Sequence, residues 1–401
     1  MSIRCVDGAR HLGAKILVSG GSRCNVTNRF VSERDFWGGS SRVVRNVLRA
    51  FPATRTVEFF TGIGVSLHEE EDGKLFPDTG RARSVLDALL AEAARLQVVI
   101  QSGHRVTSLS RGHDRFRVGL AGAEIDARAV VLATGGQSLP KTGSDGFGYQ
   151  LARTLGHHIV ETTPALAPLL LDDDWHAALS GVAHPAAATL ESDPGDDVAR
   201  PPRRRLRLRG DWLWTHFGAS GPLALNLSRH WHRAMLDGGA AVSLSVLPDE
   251  TFESVEAWLL AKERDRPRAQ MPTLLATRVP ASVASAWTRL AGIDADATLA
   301  HVTREERRRL AHALTSQPLH VSGSRGYRYA EATAGGVSLD EIDPATLESR
   351  CCPSLYLAGE ILDVDGRLGG FNFQWAWSSG FVAGQAVAKR LGEFRGVHTE
   401  V

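Results

Sequence analysis

Cysteine is scarce in this 401-residue chain: Cys5, Cys24, Cys351 and Cys352 are too few for a disulfide framework, and none stand in CxxC spacing. The adjacent Cys351 and Cys352 read as packing residues rather than a bridge or a metal pair. Long apolar runs are missing too. The opening residues, MSIRCVDGARHLGAK, hold no stretch of signal-peptide length, and no segment approaches the roughly 20 apolar residues of a membrane-spanning helix. Charge of one sign does not dominate either. The net charge is +1, so no global field recruits nucleic acid or an anionic membrane, and such a partner would need a local patch. There is no internal repeat, no low-complexity linker and no GxGxxG turn. These absences lead to the expectation of a soluble protein in a reducing cytoplasm.

What is present is ordinary globular composition, with 43% hydrophobic and 23% charged residues, in a chain too long for one core. Two or three domains are therefore expected. Residues 3–7 alternate apolar and polar and end in Asp7 before Gly8, as a strand does when its terminal acid meets a ribose. A helical pattern spans residues 42–60, and GRARSVLDALLAEAARL (80–96) is amphipathic at three- and four-residue spacing. Strands follow at QVVIQSGHRVTSLS, RFRVGLAG and AEIDARAVVLATGG, the last read as a buried strand running into Gly135 and Gly136. After Pro164 the pattern becomes β-rich to about residue 248, then helical to about 315. The expected organisation is a nucleotide-binding fold made from residues 1–163 and 336–401. Inserted into it are a β-rich domain (164–248 and 316–335) and a helical subdomain (249–315).

Three distant glycine-rich segments carry the chemistry. KILVSGGSRCNVTN (15–28) reads as a loop in which backbone meets a ligand. Ala133, Thr134, Gly135 and Gly136 follow an apolar strand. LYLAGEILDVDGRLGGFNFQWAWSSG (355–380) delivers Glu360, Asp363 and Asp365, then Gly369 and Gly370 at the start of a helix. Glycine removes the Cβ where main chain must approach a ligand, and a helix N-terminus offers unpaired N–H groups and partial positive charge.

In order along the chain, KILVSGGSRCNVTN, VVLATGG, GDWLWTHFGASGP, EATAGGVSLDEIDPATLESR and LYLAGEILDVDGRLGGFNFQWAWSSGFVAGQAV resemble the motifs of the HI0933-like flavoproteins. That resemblance implies an FAD-dependent oxidoreductase of the two-dinucleotide-binding-domain type: a Rossmann-like α/β fold built from both chain ends, with an inserted β-barrel-like domain and a helical subdomain. It also implies NAD(P)H as reductant and an activated C=C bond as acceptor, such as uridine in ribosomal RNA or an enone bile acid. Oxidation of a small amine is the competing activity. An apo-protein that only binds RNA or a partner is the non-enzymatic alternative. Two departures stand out. The family opens with a strand and a GxGxxG turn, roughly 30 residues that are not found here, and Ser22 replaces a glycine. The expectation is a start site assigned too late, or else a shortened variant that retains FAD poorly, with a gap in its parallel sheet.

Carried over residue by residue, the resemblance assigns Asp7, Lys15, Ser19, Gly20, Gly21, Arg23, Asn25, Ala133, Thr134, Gly135, Gly136, Gly359, Glu360, Asp365, Gly369, Gly370, Phe371 and Asn372 to the cofactor. Gln374 and Trp375 would edge the ring, whereas Trp377 reads as core. Cys24, as a proton donor to the substrate, and His216 are the catalytic candidates. Arg203, Arg205, Arg207 and Arg209 share one face if RPPRRRLRLRG is a strand, a stripe that could meet RNA phosphates.

Overall fold

The computed structural model describes residues 2–192 and 204–392, which form two compact units, Met1–Thr163 with Glu331–Val401, and Pro164–Ala330. The first unit is a mixed α/β fold of Rossmann type. Its strands Arg4–Asp7 and Val99–Ser102 pair in parallel, as do Val130–Leu132 and Leu355–Leu357. The second pair joins the two ends of the chain. Leu355, Tyr356 and Leu357 are all buried, which fits a run with no polar alternation.

Among the described residues each parallel pair is a sheet of only two strands. Parallel strands ordinarily lie inside larger covered sheets. Here Ile3, Val99 and Val131 are 46, 48 and 42% exposed. The strand before the Gly135–Gly136 pair is therefore not buried throughout, contrary to the sequence expectation, because Val130–Leu132 has a partner on one edge alone. The preceding residues Ala123–Ala127 belong instead to an antiparallel meander with Phe116–Leu120 and Val106–Arg111.

Helices follow local signals. Ser41–Ala50 and Ala53–Gly62 are separate because Pro52 cannot continue the first helix. Ala82–Arg95 matches the amphipathic run, with Val85 and Leu86 facing inward. The segment read as a loop at 15–28 begins as the helix Ala14–Ser22, whose regular dihedrals break at Ser19, Gly20 and Gly21. The glycines hid a first turn built on Lys15, Ile16, Leu17 and Val18.

The second unit holds a seven-stranded antiparallel sheet. Its outermost strands, Gln317–Leu319 and Val321–Ser324, are separated in the chain only by His320. A sheet whose first and last strands are consecutive must curl until its edges meet, giving a barrel-like form. Helix Gly221–Leu236 packs on it, and Trp175, Trp212, Trp214 and Trp287 form an edge-to-face cluster in its core. Helices Phe252–Asp265 and Arg304–Ser316 each start with a reciprocal capping box, at Thr251/Ser254 and Thr303/Glu306. Among the described residues no helix is long and apolar enough to cross a membrane.

Burial lowers the pKa of His230 to about 3 and of His232 to about 4, and shifts His176 and His184 the same way. Unfolding releases these imidazoles to their usual value of 6.5, so the unfolded chain takes up protons first as pH falls. Stability of this unit is complete above that value and declines as pH drops from 6.5 toward 4, in total by on the order of a few kcal/mol. His232→Asn is expected to flatten the dependence of melting temperature on pH across this interval; an unchanged slope would refute the assignment.

Candidate cofactor site

Two knots tie the glycine segments together. At the first, the Glu360 carboxylate accepts hydrogen bonds from Lys15 Nζ at 2.5 Å, the Thr333 N–H at 2.6 Å and Ser138 Oγ at 3.0 Å. Lys15 Nζ also donates to Ser138 Oγ at 2.6 Å. Thr333 Oγ1 in turn accepts the N–H groups of Gln137 and Ser138. Gly136 is obligatory at this point, since a Cβ there would lie 2.4 Å from Thr333 Oγ1. Side-chain exposure of Lys15 and Glu360 is 28% and 17%, so the ion pair is mostly shielded and its hydrogen bonds matter more than those of a surface pair.

At the second knot, the helix Phe371–Arg390 starts at Gly370, whose left-handed φ of 92° brings it against the Thr27 carbonyl. A Cβ on Gly370 would sit 2.5 Å from Thr27 C and 2.9 Å from Asn25 Oδ1. Asn28 Nδ2 donates to the Gly369 carbonyl at 3.1 Å. Deeper in the same helix, buried Gln374 accepts from the hydroxyls of Thr27 and Thr56 and donates to the Phe51 carbonyl and Ser378 Oγ. Trp375 Nε1 donates to the Gly359 carbonyl and Trp377 Nε1 to that of Val26. Segments more than 300 residues apart are thereby fixed on one helix tip.

Other predicted site residues take more local roles. Asp7 ends its strand half-buried and accepts the Ala9 N–H at 2.7 Å. Ser19 Oγ bonds back to the Ile16 carbonyl, and a Cβ on Gly20 would press on Asn25 N and Phe76. Arg23 lies on the surface between Glu70, at 2.6 Å, and the Phe76 ring. Ala133 and Thr134 are exposed after their strand, with Gly135 at φ 71° beyond them. Asp365 is buried in a strand paired with Phe36–Gly38. Phe371 is a core residue, edge-on to Phe36, and Asn372 spends its amide on a two-way clasp with Gly366. Cys24 is fully buried among Val26, Phe60 and Val85, which pushes its thiol up to about 11; it packs rather than facing open space. His216 is exposed in the turn between Arg204–Thr215 and Gly218–Ser220 of the inserted unit.

The arginine stripe is real but largely engaged. Arg205 pairs with Glu191, Arg209 with Asp249, and Arg207 donates to the Pro248 carbonyl. Arg203 lies outside the described residues. Sequence reasoning overlooked Ser138, Thr333 and Glu331. The repetition of a Thr-x-Gly-Gly pattern at Thr333, echoing Thr134 beside its glycines, was the available signal. Glu331 is accessible, yet desolvation raises its carboxyl pKa above the usual range against the pull of Lys15.

The HI0933-like protein Rossmann domain family model matches residues 1–386. The chain belongs to this HI0933-like family. It is 32% identical over 383 residues to the ribosomal RNA dihydrouridine synthase of Escherichia coli K12, covering 95% of this chain and 90% of that protein. It is 32% identical over 388 residues to the 3-dehydro-bile acid delta(4,6)-reductase of Clostridium scindens, covering 96% and 92%. A ribosomal RNA dihydrouridine synthase of Haemophilus influenzae is 29% identical over 395 residues, covering 97% and 93%. The family is one of FAD-dependent oxidoreductases.

The residues present fit a flavin. Gly21 and Gly359 have φ of 66° and 76°, and no atom lies within 4 Å of where their Cβ would be, so both present bare backbone to open space. The tip of helix Phe371–Arg390 has no side-chain cap and no acid in its first turn, leaving N–H groups for an electron-rich ligand. Beside it, Asn25 Oδ1 is buried without a partner.

Two substitutions test the knots. Gln374→Leu leaves the Phe51 carbonyl and two buried threonine hydroxyls short of a partner and is expected to cost about 3 kcal/mol in urea unfolding. Lys15→Met should weaken FAD binding by about tenfold or more in a fluorescence titration, because Glu360 loses its charged donor and the loops it holds slacken. Wild-type affinity would exclude this role for the pair.

Proposed function

We propose that this chain is an FAD-dependent reductase that draws hydride from NAD(P)H and delivers it to a C=C bond conjugated with a carbonyl, the substrate being uridine in ribosomal RNA. The reading is carried by the two 32%-identical relatives, whose names both describe saturation of a carbonyl-conjugated double bond. One acts on RNA and the other on a bile acid, so the shared element is the bond rather than the molecule around it.

FAD, when bound, supplies the hydride chemistry, and the protein supplies orientation and charge. Backbone at Gly21, Gly359 and the tip of Phe371–Arg390 would hold it. Lys15, Ser138 and Glu360 keep the loops at its edge in register. Reduction of the conjugated bond also needs a proton, and it must come from a group that retains one near neutrality. Glu331 suits that task better than Cys24: its carboxyl is accessible and holds its proton to higher pH than a free glutamate, whereas the Cys24 thiol is enclosed in the core.

Reconstituted with FAD without oxygen, the protein should oxidise NADH or NADPH in the presence of a ribosomal RNA fragment, and converted uridines should gain the mass of two hydrogens. Peroxide produced from a small amine and oxygen, with no consumption of NAD(P)H, would replace this reading with an amine oxidase.

A further inference from the structure

The turn after strand Val321–Ser324 belongs neither to the cofactor cradle nor to the arginine stripe. Residues 320–330, HVSGSRGYRYA, contain two arginines, two tyrosines and no acid. The main chain is tightly fixed. Gly326, at φ 70°, accepts the N–H groups of Tyr329 and Ala330 at 3.0 and 3.1 Å and donates its own to Ser324 Oγ at 3.2 Å. The Arg325 N–H donates to the Pro168 carbonyl at 2.9 Å.

On this frame the side chains stack. The Arg325 guanidinium carbon lies 3.4 Å from the centre of the Tyr329 ring and 4.7 Å from that of Phe217. His216 stands edge-on to Phe217, with centroids 5.1 Å apart and planes at 83°. The order is His216, Phe217, Arg325, Tyr329. Tyr329 is 48% exposed although one of its faces is covered by Arg325, and Arg328 and His216 are exposed beside it. Among the described residues neither Arg325 nor Arg328 has a carboxylate partner, unlike Arg205 and Arg209 in the stripe.

An aromatic ring with one open face, backed by a fixed cation and flanked by a free one, is a base-stacking platform. Unpaired RNA bases are recognised by stacking on such rings, and any base has a π-face to offer. Packing on two rings holds Arg325 in place in advance, so little side-chain freedom remains to be lost on binding. Arg328 supplies the phosphate contact.

We propose that this turn binds single-stranded RNA, with a base stacked on Tyr329 and an adjacent phosphate met by Arg328. The proposal rests on the reading that the substrate is RNA, and it assigns recognition to this turn instead of the arginine stripe.

Binding of a fluorescein-labelled oligouridylate to the full chain, followed by anisotropy with no NAD(P)H, tests it. Tyr329→Ala should weaken binding by about tenfold or more, as expected for a lost base stack. Tyr329→Phe, which keeps the ring, should stay within about twofold of the unsubstituted protein on the same grounds. Arg328→Ala should reduce the slope of log affinity against log salt by about 0.7. Arg205→Ala with Arg209→Ala should leave binding nearly unchanged. The proposal falls if Tyr329→Ala binds as the unsubstituted protein does, if the stripe variant carries the loss, or if no RNA binds while a small enone still drives NAD(P)H oxidation. Tyr329-dependent RNA binding without oxidation of NAD(P)H by any acceptor would uphold it and reject the reductase instead.

Discussion

One carboxylate organises the first unit. Glu360 gathers donors from three parts of the chain, and its partner Lys15 lies 345 residues away in sequence. Closing so long a loop costs only modestly more entropy than closing a short one, but the contact must still repay the ordering of both ends. The apolar strand Leu355–Leu357 and the helix Phe371–Arg390 supply that repayment through buried Tyr356, Phe371 and Trp375. Glu360 then decides how the ends meet. A shielded carboxylate is tolerable only with its donors in place, so slippage of the Gly135–Gly136 loop or of the Lys15 helix is penalised. Apolar burial drives the chain ends together, and the polar knot selects one register.

The glycines divide into two kinds. Gly136 and Gly370 are glycine because neighbouring atoms occupy the space of a side chain: Thr333 Oγ1 in one case, the Thr27 carbonyl in the other. Gly21 and Gly359 face open space with left-handed backbone. Packing accounts for the first kind entirely. The second kind has no neighbour to explain it, only main chain left uncovered, which is the condition a planar ligand needs to lie close.

Much of this could be read in the residues themselves. Periodicity revealed the helix Ala82–Arg95, the strand Arg4–Asp7 and the alternating face of Arg205, Arg207 and Arg209, because each is a local pattern. The long-range motifs in order along the chain made the family legible. What escaped depends on neighbours brought in from afar. Nothing local announces that Glu191 and Asp249 neutralise the stripe, that Gln374 serves four partners, or that Phe371 and Asn372 turn to the fold instead of to a ring. Glycine content also misled: it disguised a helical first turn at Lys15, and the glycine before Pro222 concealed the helix Gly221–Leu236.

Because the cradle lies where the chain ends join, ligand affinity and stability cannot be separated there. Anything seated against Gly21, Gly359 and the tip of Phe371–Arg390 binds only the joined state, and so shifts the folding equilibrium in its favour as its concentration exceeds its dissociation constant. The same unit carries two short parallel pairs with Ile3, Val99 and Val131 exposed, surface that contributes less burial than a continuous sheet would. With less apolar burial holding the ends, the polar knots and the ligand account for a larger share of the stability. Cofactor loading in this fold is therefore as much a structural event as a chemical one.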